Sequence, residues 1–455
     1  MIGIVGILLI FIMVFGGYAA AGGKIAIIMK SLPFEFMMIG GAATGAFVIS
    51  RPYDRILRQL DWRPLLRHSA ARVMPDFSAE LQEGRRDHMK DSIFIGLDVH
   101  KATISVAVAD GERGGEVRDW SKLPNRPDRV RKLAKQLGAK GHQLYFCYEA
   151  GPCGYGLYRQ LVELGHDCMV VAPSLIPVKA GDRVKTDRRD ARMLAKLHRA
   201  NELTAVWVPD VEHEAMRDLV RARATAVRVA NQARQHLQSF LLRHGRQYPG
   251  KKSWTKAYRR WLSTNRFDHS AQQIVFQDYI HAVTDAETRV ARLEEQIAEL
   301  LPYWSLAPVV QAIQAMRGVA FIVAVTLVAE VGDFRRFATP RQLMAYLGLT
   351  PSEHSSGNTV RRGGITKVGS SLARRMLIEG AWSYRLQPRV GRKQVDRMEG
   401  LPQGVRDIAW KGQMRMCRRH KHLVACGKPT VVANTAIARE MVGFIWAIAQ
   451  EVTPT

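Results

Sequence analysis

From residue 91 onward the hydrophobic positions change period several times, and each period predicts an element. The stretch "IFIGLDVHKATISVAVAD", residues 93–110, alternates Val, Ile and Thr at period two on both sides of a His-Lys turn. That pattern predicts two paired strands. The basic segment "SKLPNRPDRVRKLAKQLGAK" then reads as helix, and "HQLYFCYEAGPCGYGLYRQLVELGH" as a strand, a glycine-rich turn and an amphipathic helix. "DCMVVAP" predicts another buried strand, and "KTDRRDARMLAKLHRAN" opens a helix with Asp187, Asp190 and Leu194 on one face. Strands alternating with helices predict a central sheet covered by helices, an α/β domain over residues 89–208.

The pattern turns helical over residues 209–302. Phe276, Ile280, Val283, Ala286, Val290, Leu293, Ile297 and Leu300 follow alternating three- and four-residue steps, a coiled-coil seam. A similar stripe runs from Met216 to Phe240 on an Arg-rich stretch. Two such helices predict either an antiparallel arm or a dimer seam. Residues 303–455 read as a mainly α-helical domain, with a helix, a break at Gly332, a second helix from near Thr339, and "ANTAIAREMVGFIWAIAQ" as an apolar core helix.

The front of the chain differs in kind. "MIGIVGILLIFIMVFGGYAAAGG" carries no charge before Lys24 and is long enough to span a bilayer, and "PFEFMMIGGAATGAFVIS" is a shorter apolar run. Residues 1–50 therefore predict two apolar helices able to insert in a membrane. Residues 51–88 are a basic linker without periodicity, and the Arg residues from Arg51 onward place that side in the cytoplasm.

Composition narrows the function. The formal charge is +26 over 455 residues. Such a surplus favours polyanions, either nucleic acid or an anionic membrane face. Five scattered cysteines form no disulfide framework and no zinc spacing, so reduced cytoplasmic thiols are expected.

Within this basic chain the carboxylates carry the chemistry. Asp98 sits near the end of the first strand and Glu149 at the end of a later one. Asp187 and Asp190, three apart, share one side of a helix. Singly, a strand Asp reads as an edge residue and a DxxD as a solvated helix face. Together they form the set that a two-metal phosphoryl-transfer site requires, with hard Mg²⁺ as the expected cofactor. Further on, "SEHSSGNTVRRGGITKVGSSLARRMLIEGAW" places Ser355, Ser356 and Gly357 in a flexible loop. Arg361, Arg362, Lys367, Arg374 and Arg375 surround it as candidate nucleic-acid contacts. Ser-Gly in isolation is plain turn chemistry.

From about Met89 to the end the chain resembles the DEDD transposases of the insertion-sequence 110 type, the family that includes the Piv invertase. The four carboxylates fall on "GLDVHK" (Asp98), "YEAGPCGYGL" (Glu149) and "KTDRRDA" (Asp187, Asp190), and the serine preceding glycine is Ser356, with Ser355 as the alternative. The resemblance implies an RNase H-like (RuvC-like) domain carrying the metal-binding carboxylates, and a C-terminal transposase domain carrying a serine nucleophile. It further implies a covalent phosphoserine–DNA intermediate and recognition of DNA through a bridge RNA. The carboxylates of one protomer would work with the serine of another, in a dimer or tetramer. A cytoplasmic, nucleoid-associated enzyme is expected. The nearest alternative is a junction-resolvase-type endonuclease without a covalent intermediate; a membrane or motor protein rests on residues 1–50 alone. Those residues resemble the opening of the flagellar stator proton-channel subunit, which predicts a hybrid reading frame with inner-membrane insertion only where the leader is retained. Residues 89–455 expressed alone are expected to support recombination in cells; activity confined to the full chain would make the leader part of the enzyme.

Overall fold

The computed structural model describes residues 91–112, 114–177, 186–356 and 359–452. The apolar helices expected in 1–50, the linker 51–88 and Gly357 lie outside the described residues. β1 (Ser92–Val99) and β2 (Thr103–Asp110) form the expected antiparallel hairpin, with Gly96 opposite Ala107 and Asp98 opposite Ser105. The next segment departs from expectation. "SKLP" is not helical but closes β3 (Val117–Pro124), antiparallel to β2, and α1 (Pro127–Leu137) begins only at Pro127. β3 is an edge strand whose residues 119–122 are exposed, so it has no buried face to impose a period on its side chains.

β4 (Gln143–Glu149) lies beside β1, and β5 (Asp167–Val171) runs parallel to β4, giving a five-stranded sheet in the order β3-β2-β1-β4-β5. One face carries Ile95, Leu97, Phe146 and Tyr148, buried under Val130, Leu133 and Leu137 of α1 and Leu161 of α2 (Gly156–Glu163). α3 (Asp187–Arg199) covers the other face, and the contact there is made of small residues. Ala107 and Ala109 of β2 meet Ala191 and Ala195 of α3. A Cβ on Gly96 would lie 2.2 Å from the Ala191 carbonyl oxygen and 2.5 Å from the Ala195 nitrogen, so helix backbone rests on strand backbone.

α4 (Val211–Arg243) and α6 (Ser270–Leu300), joined through α5 (Lys256–Thr264), form the antiparallel arm within one chain. Leu237, Phe240, Phe276 and Val283 pack there with Tyr258 and Leu262. Glu287 of α6 accepts from Arg234 of α4 at 2.7 Å and from Arg259 of α5 at 2.6 Å. The predicted stripes thus meet each other, except at Leu300, which is exposed.

The C-terminal helices are α7 (Ala307–Ile313), α8 (Phe321–Val331), α9 (Pro340–Tyr346), α10 (Ser371–Ala381), α11 (Arg392–Met398), α12 (Gln403–Ala425) and α13 (Thr430–Gln450). The predicted break falls at Gly332, and Thr339 caps α9. Trp304, Ile313, Val325, Leu343, Leu377, Tyr384, Ile437 and Met441 share one core, which Met216 and Val220 of α4 join. α13 is long and apolar enough to cross a membrane, yet Ile437, Ala438, Met441 and Val442 lie buried at the centre of this core.

Because no flexible side chain can give way, Gly96→Val is expected to destabilise the protein by at least the ~1–3 kcal/mol of ordinary core overpacking. Urea denaturation measures this; wild-type stability in the variant would mean that α3 does not press on β1.

Candidate active site

The small-residue contact decides where the carboxylates go. Along a strand, alternate residues share a face, so Asp98 faces α3 as Gly96 does. On β4, Cys147 directs its sulfur to the Leu194 carbonyl of α3 at 3.6 Å, and Glu149 follows two residues later. Thr186 caps α3, its hydroxyl accepting from the Arg189 amide, so Asp187 and Asp190 occupy the first turn. The result is a cleft of about 930 Å³ lined by Asp98, Glu149, Asp187 and Asp190 together, with the Gly151–Cys153 turn on its rim.

Two basic side chains reach Asp187 from elsewhere. His100, in the β1–β2 turn, places Nε2 3.2 Å from Asp98 Oδ2 and 3.5 Å from Asp187 Oδ1. Lys122, on edge strand β3, donates Nζ to Asp187 Oδ2 at 2.9 Å. Sequence reasoning assigned neither a role: His100 lies in the quoted "GLDVHK" but carries no spacing signal, and Lys122 fell in the segment read as helix. Burial pushes the Asp98 carboxyl above the usual carboxylate range; His100 opposes this, and Asp187 and Asp190 add to it. Asp187 is held below that range, chiefly by the Lys122 hydrogen bond. Ser105, opposite Asp98 on the neighbouring strand, is buried, and its hydroxyl has no hydrogen-bond partner among the described residues.

This donor set suits a hard divalent cation. Ligand atoms of Asp98, His100 and Asp187 lie within 4.8 Å of one another. Positive charge between the carboxylates would oppose both the burial that raises Asp98 and the smaller repulsion from Asp187 and Asp190. The oxygen donors are those of Mg²⁺, while the His100 imidazole also accommodates a transition ion such as Mn²⁺.

The serines occupy a second place. β6 (Pro351–Glu353) pairs with β7 (Arg362–Ile365), and reciprocal backbone bonds of 3.1 Å join Ser356 to Thr359. The Ser355 hydroxyl donates to Glu353 Oε1 at 2.8 Å, and Arg362 Nε donates to Glu353 Oε2 at 3.2 Å. Ser356 is exposed, and its side chain has no such anchor among the described residues. Glu353 is held below the usual range by Ser355 and then Arg362. None of the described residues of this hairpin lines the carboxylate cleft.

The basic candidates divide by what they touch. Arg361 and Lys367 are exposed beside the hairpin. Arg374 spends Nη1 on the carbonyls of Leu347 (3.0 Å) and Val368 (2.7 Å), pinning α10 to the chain that leaves the hairpin. Arg375 is exposed, 3.5 Å from Glu379.

Comparison with known proteins accounts for nearly the whole chain. The DEDD transposase model of the IS110 type matches residues 95–245, and the model described as "Transposase IS116/IS110/IS902 family" matches residues 310–395. Residues 4–62 match a different model, the N-terminal part of motility protein A. "Putative transposase y4qE" of Sinorhizobium fredii is 54% identical over 362 residues, covering 80% of this chain and 90% of that protein. The transposase for insertion sequence element IS1533 of Leptospira borgpetersenii is 31% identical over 342 residues, covering 74% of this chain and 97% of that protein. The transposase for insertion sequence element IS1111A of Coxiella burnetii is 25% identical over 317 residues, covering 68% and 82%. The chain therefore belongs to the IS110/IS116 family of insertion-sequence transposases, enzymes that cut and rejoin DNA.

Proposed function

We propose that this transposase works by Mg²⁺-dependent phosphoryl transfer at Asp98, Glu149, Asp187 and Asp190, with Ser356 as covalent nucleophile. The observation that carries the reading is the shared cleft of the four carboxylates. The domain that holds them is read as RNase H-like: an antiparallel β1–β2–β3 unit extended by β4 and a parallel β5, with helices on both faces, supports it. Bound divalent ions would stabilise the negative charge on the attacking and leaving oxygens. Lys122 keeps Asp187 ionised and so able to act as a ligand. The Ser356 hydroxyl gives up its proton as its oxygen bonds to phosphorus, and a deoxyribose oxygen leaves and takes up a proton. Reversal with a different deoxyribose hydroxyl rejoins the strand.

The serine hairpin stands outside the carboxylate cleft of its own chain, which favours a homo-oligomer in which one protomer's serine serves its partner's carboxylates. The charge of +26 supports a further nucleic-acid partner, and a bridge RNA supplied by the element is the reading we adopt. The leader matched by the motility model is read as a fused segment of separate origin.

Two measurements test this function. A ligand that binds only the native state at a hundred times its Kd stabilises it by about 2.7 kcal/mol, so saturating Mg²⁺ or Mn²⁺ is expected to raise the melting temperature. Asp98→Asn should be more stable than wild type in EDTA, because the cost of burying that charge and, secondarily, its repulsion by Asp187 and Asp190 are removed, yet show no rise with metal; a full rise in that variant excludes Asp98 as a ligand. In the second, element-end DNA with Mg²⁺ and candidate RNA is probed for protein–DNA adducts. Ser356→Ala is expected to lose the adduct and Ser355→Ala to keep it in reduced yield. The reverse result moves the nucleophile by one residue, and cleavage without any adduct supports the resolvase-type reading.

A further inference from the structure

A second cleft, of about 910 Å³, lies between the sheet domain and the C-terminal helices. Arg217, Arg221 and Arg228 of α4 line one wall at spacings of four and seven, a single helix face, and Arg375 of α10 lines the opposite side. Among the described residues Glu330 is the only acidic one in the lining. It is buried at 4% exposure within the apolar helix α8, a position that costs stability unless the charge is paired. Arg221 pairs with it through both Nε (2.8 Å) and Nη2 (3.0 Å), and Ser370, the N-cap of α10, also hydrogen-bonds to it. Glu330 thereby ties α4 to α10 and fixes both walls, while neutralising one arginine of four. Arg217, 8% exposed, donates to the Ala329 carbonyl (2.9 Å) and lies near enough to Glu330 to feel its charge, and Arg228 donates to the Thr225 hydroxyl (3.0 Å).

The arginine stripe from 217 to 228 runs about 16 Å along the helix axis, too long for a lone phosphate. Aromatic rings accompany it: Tyr155 and Tyr346 line the cleft, as does Trp207, whose ring lies under Arg217 at 5.6 Å. Guanidinium groups at helical spacing with aromatic faces among them match a polyanion that also carries planar bases. The cleft also adjoins both chemical segments of the chain. Tyr155 follows the Gly151–Cys153 turn at the carboxylates, and Gly369–Leu372 follow β7 of the serine hairpin.

We propose that this cleft holds the sugar–phosphate backbone of a single nucleic-acid strand, with Arg228 and Arg375 contacting phosphates and Arg217 and Arg221 held in place by the α8 contacts. The proposal rests on the reading that the chain handles nucleic acid. RNA and DNA share the chemistry that the cleft recognises, and the experiment separates them. The full chain is titrated by fluorescence anisotropy with short labelled single-stranded RNA, single-stranded DNA and duplex DNA over a range of salt. The Arg228→Gln/Arg375→Gln variant leaves the Glu330 network untouched. It is expected to lose affinity for one single-stranded probe on the order of tenfold, with a salt slope shallower by about 1.4, roughly 0.7 per phosphate contact. A charge-matched Lys132→Gln/Lys135→Gln variant on the exposed side of α1 is expected to change neither. The probe that loses affinity names the strand. Unchanged binding to all probes, or a loss no larger than that of the α1 variant, overturns the proposal, and a loss confined to duplex overturns the single-strand assignment. A wild-type chain that binds none of the probes sinks the cleft along with the nucleic-acid reading. Arginine-dependent binding without metal-dependent cleavage sinks only the catalytic reading and supports the cleft.

Discussion

The contact of α3 backbone on β1 backbone at Gly96 is the constraint on which the carboxylate cleft depends. Asp187 and Asp190 arrive on the first turn of a helix, and Asp98 and Glu149 arrive on strand ends. Only a helix pressed against the sheet brings these side chains into one cleft. Gly96, Ala107, Ala109, Ala191 and Ala195 permit that approach because none places bulk between the layers. Mutual repulsion of the acids opposes the assembly, and the packing beneath holds them together regardless. His100 and Lys122 then offset part of the repulsion from the turn and the edge strand.

What was legible in the sequence follows from which residues had a reason to be periodic. The β1–β2 hairpin and β4 are buried on both faces, and α3 and the helical arm each bury one, so the apolar runs or spacing of each gave them away. β3 buries little, and its "SKLP" joined a basic run that looked helical until Pro127 began the real helix. The four carboxylates were legible because their order and element types formed a set. His100 and Lys122 became visible only once the hairpin turn and the edge strand were in place. Glu330 was hidden for another reason: one acid in "FIVAVTLVAEV" looks like a helix end, and its partner Arg221 is far away in sequence.

The positive charge is less freely available than composition implies. Arginine forks tie the helices together, two to one acid at Glu287 and again at Glu440, where Arg415 and Arg419 converge. Arg374 goes to backbone carbonyls. Planar, permanently charged guanidinium suits both this clamping role and phosphate recognition. The arginines that matter for binding are therefore those that no buried or half-buried acid clamps, a distinction that a count of basic residues does not make.

The order of synthesis gives α13 a further significance. The helix that fills the middle of the C-terminal core leaves the ribosome after every helix it packs against. Until Ile437, Met441 and Ile445 emerge, the surfaces of α7, α8 and α10 that α13 covers stay open. This half of the enzyme must wait as an open, sticky intermediate for its final segment. A copy of the element whose frame is lost before residue 430 yields a chain with an exposed apolar interior, the kind of product that chaperones hold and proteases remove. Such truncated copies are expected to be cleared as proteins rather than to persist as inactive competitors for the same DNA.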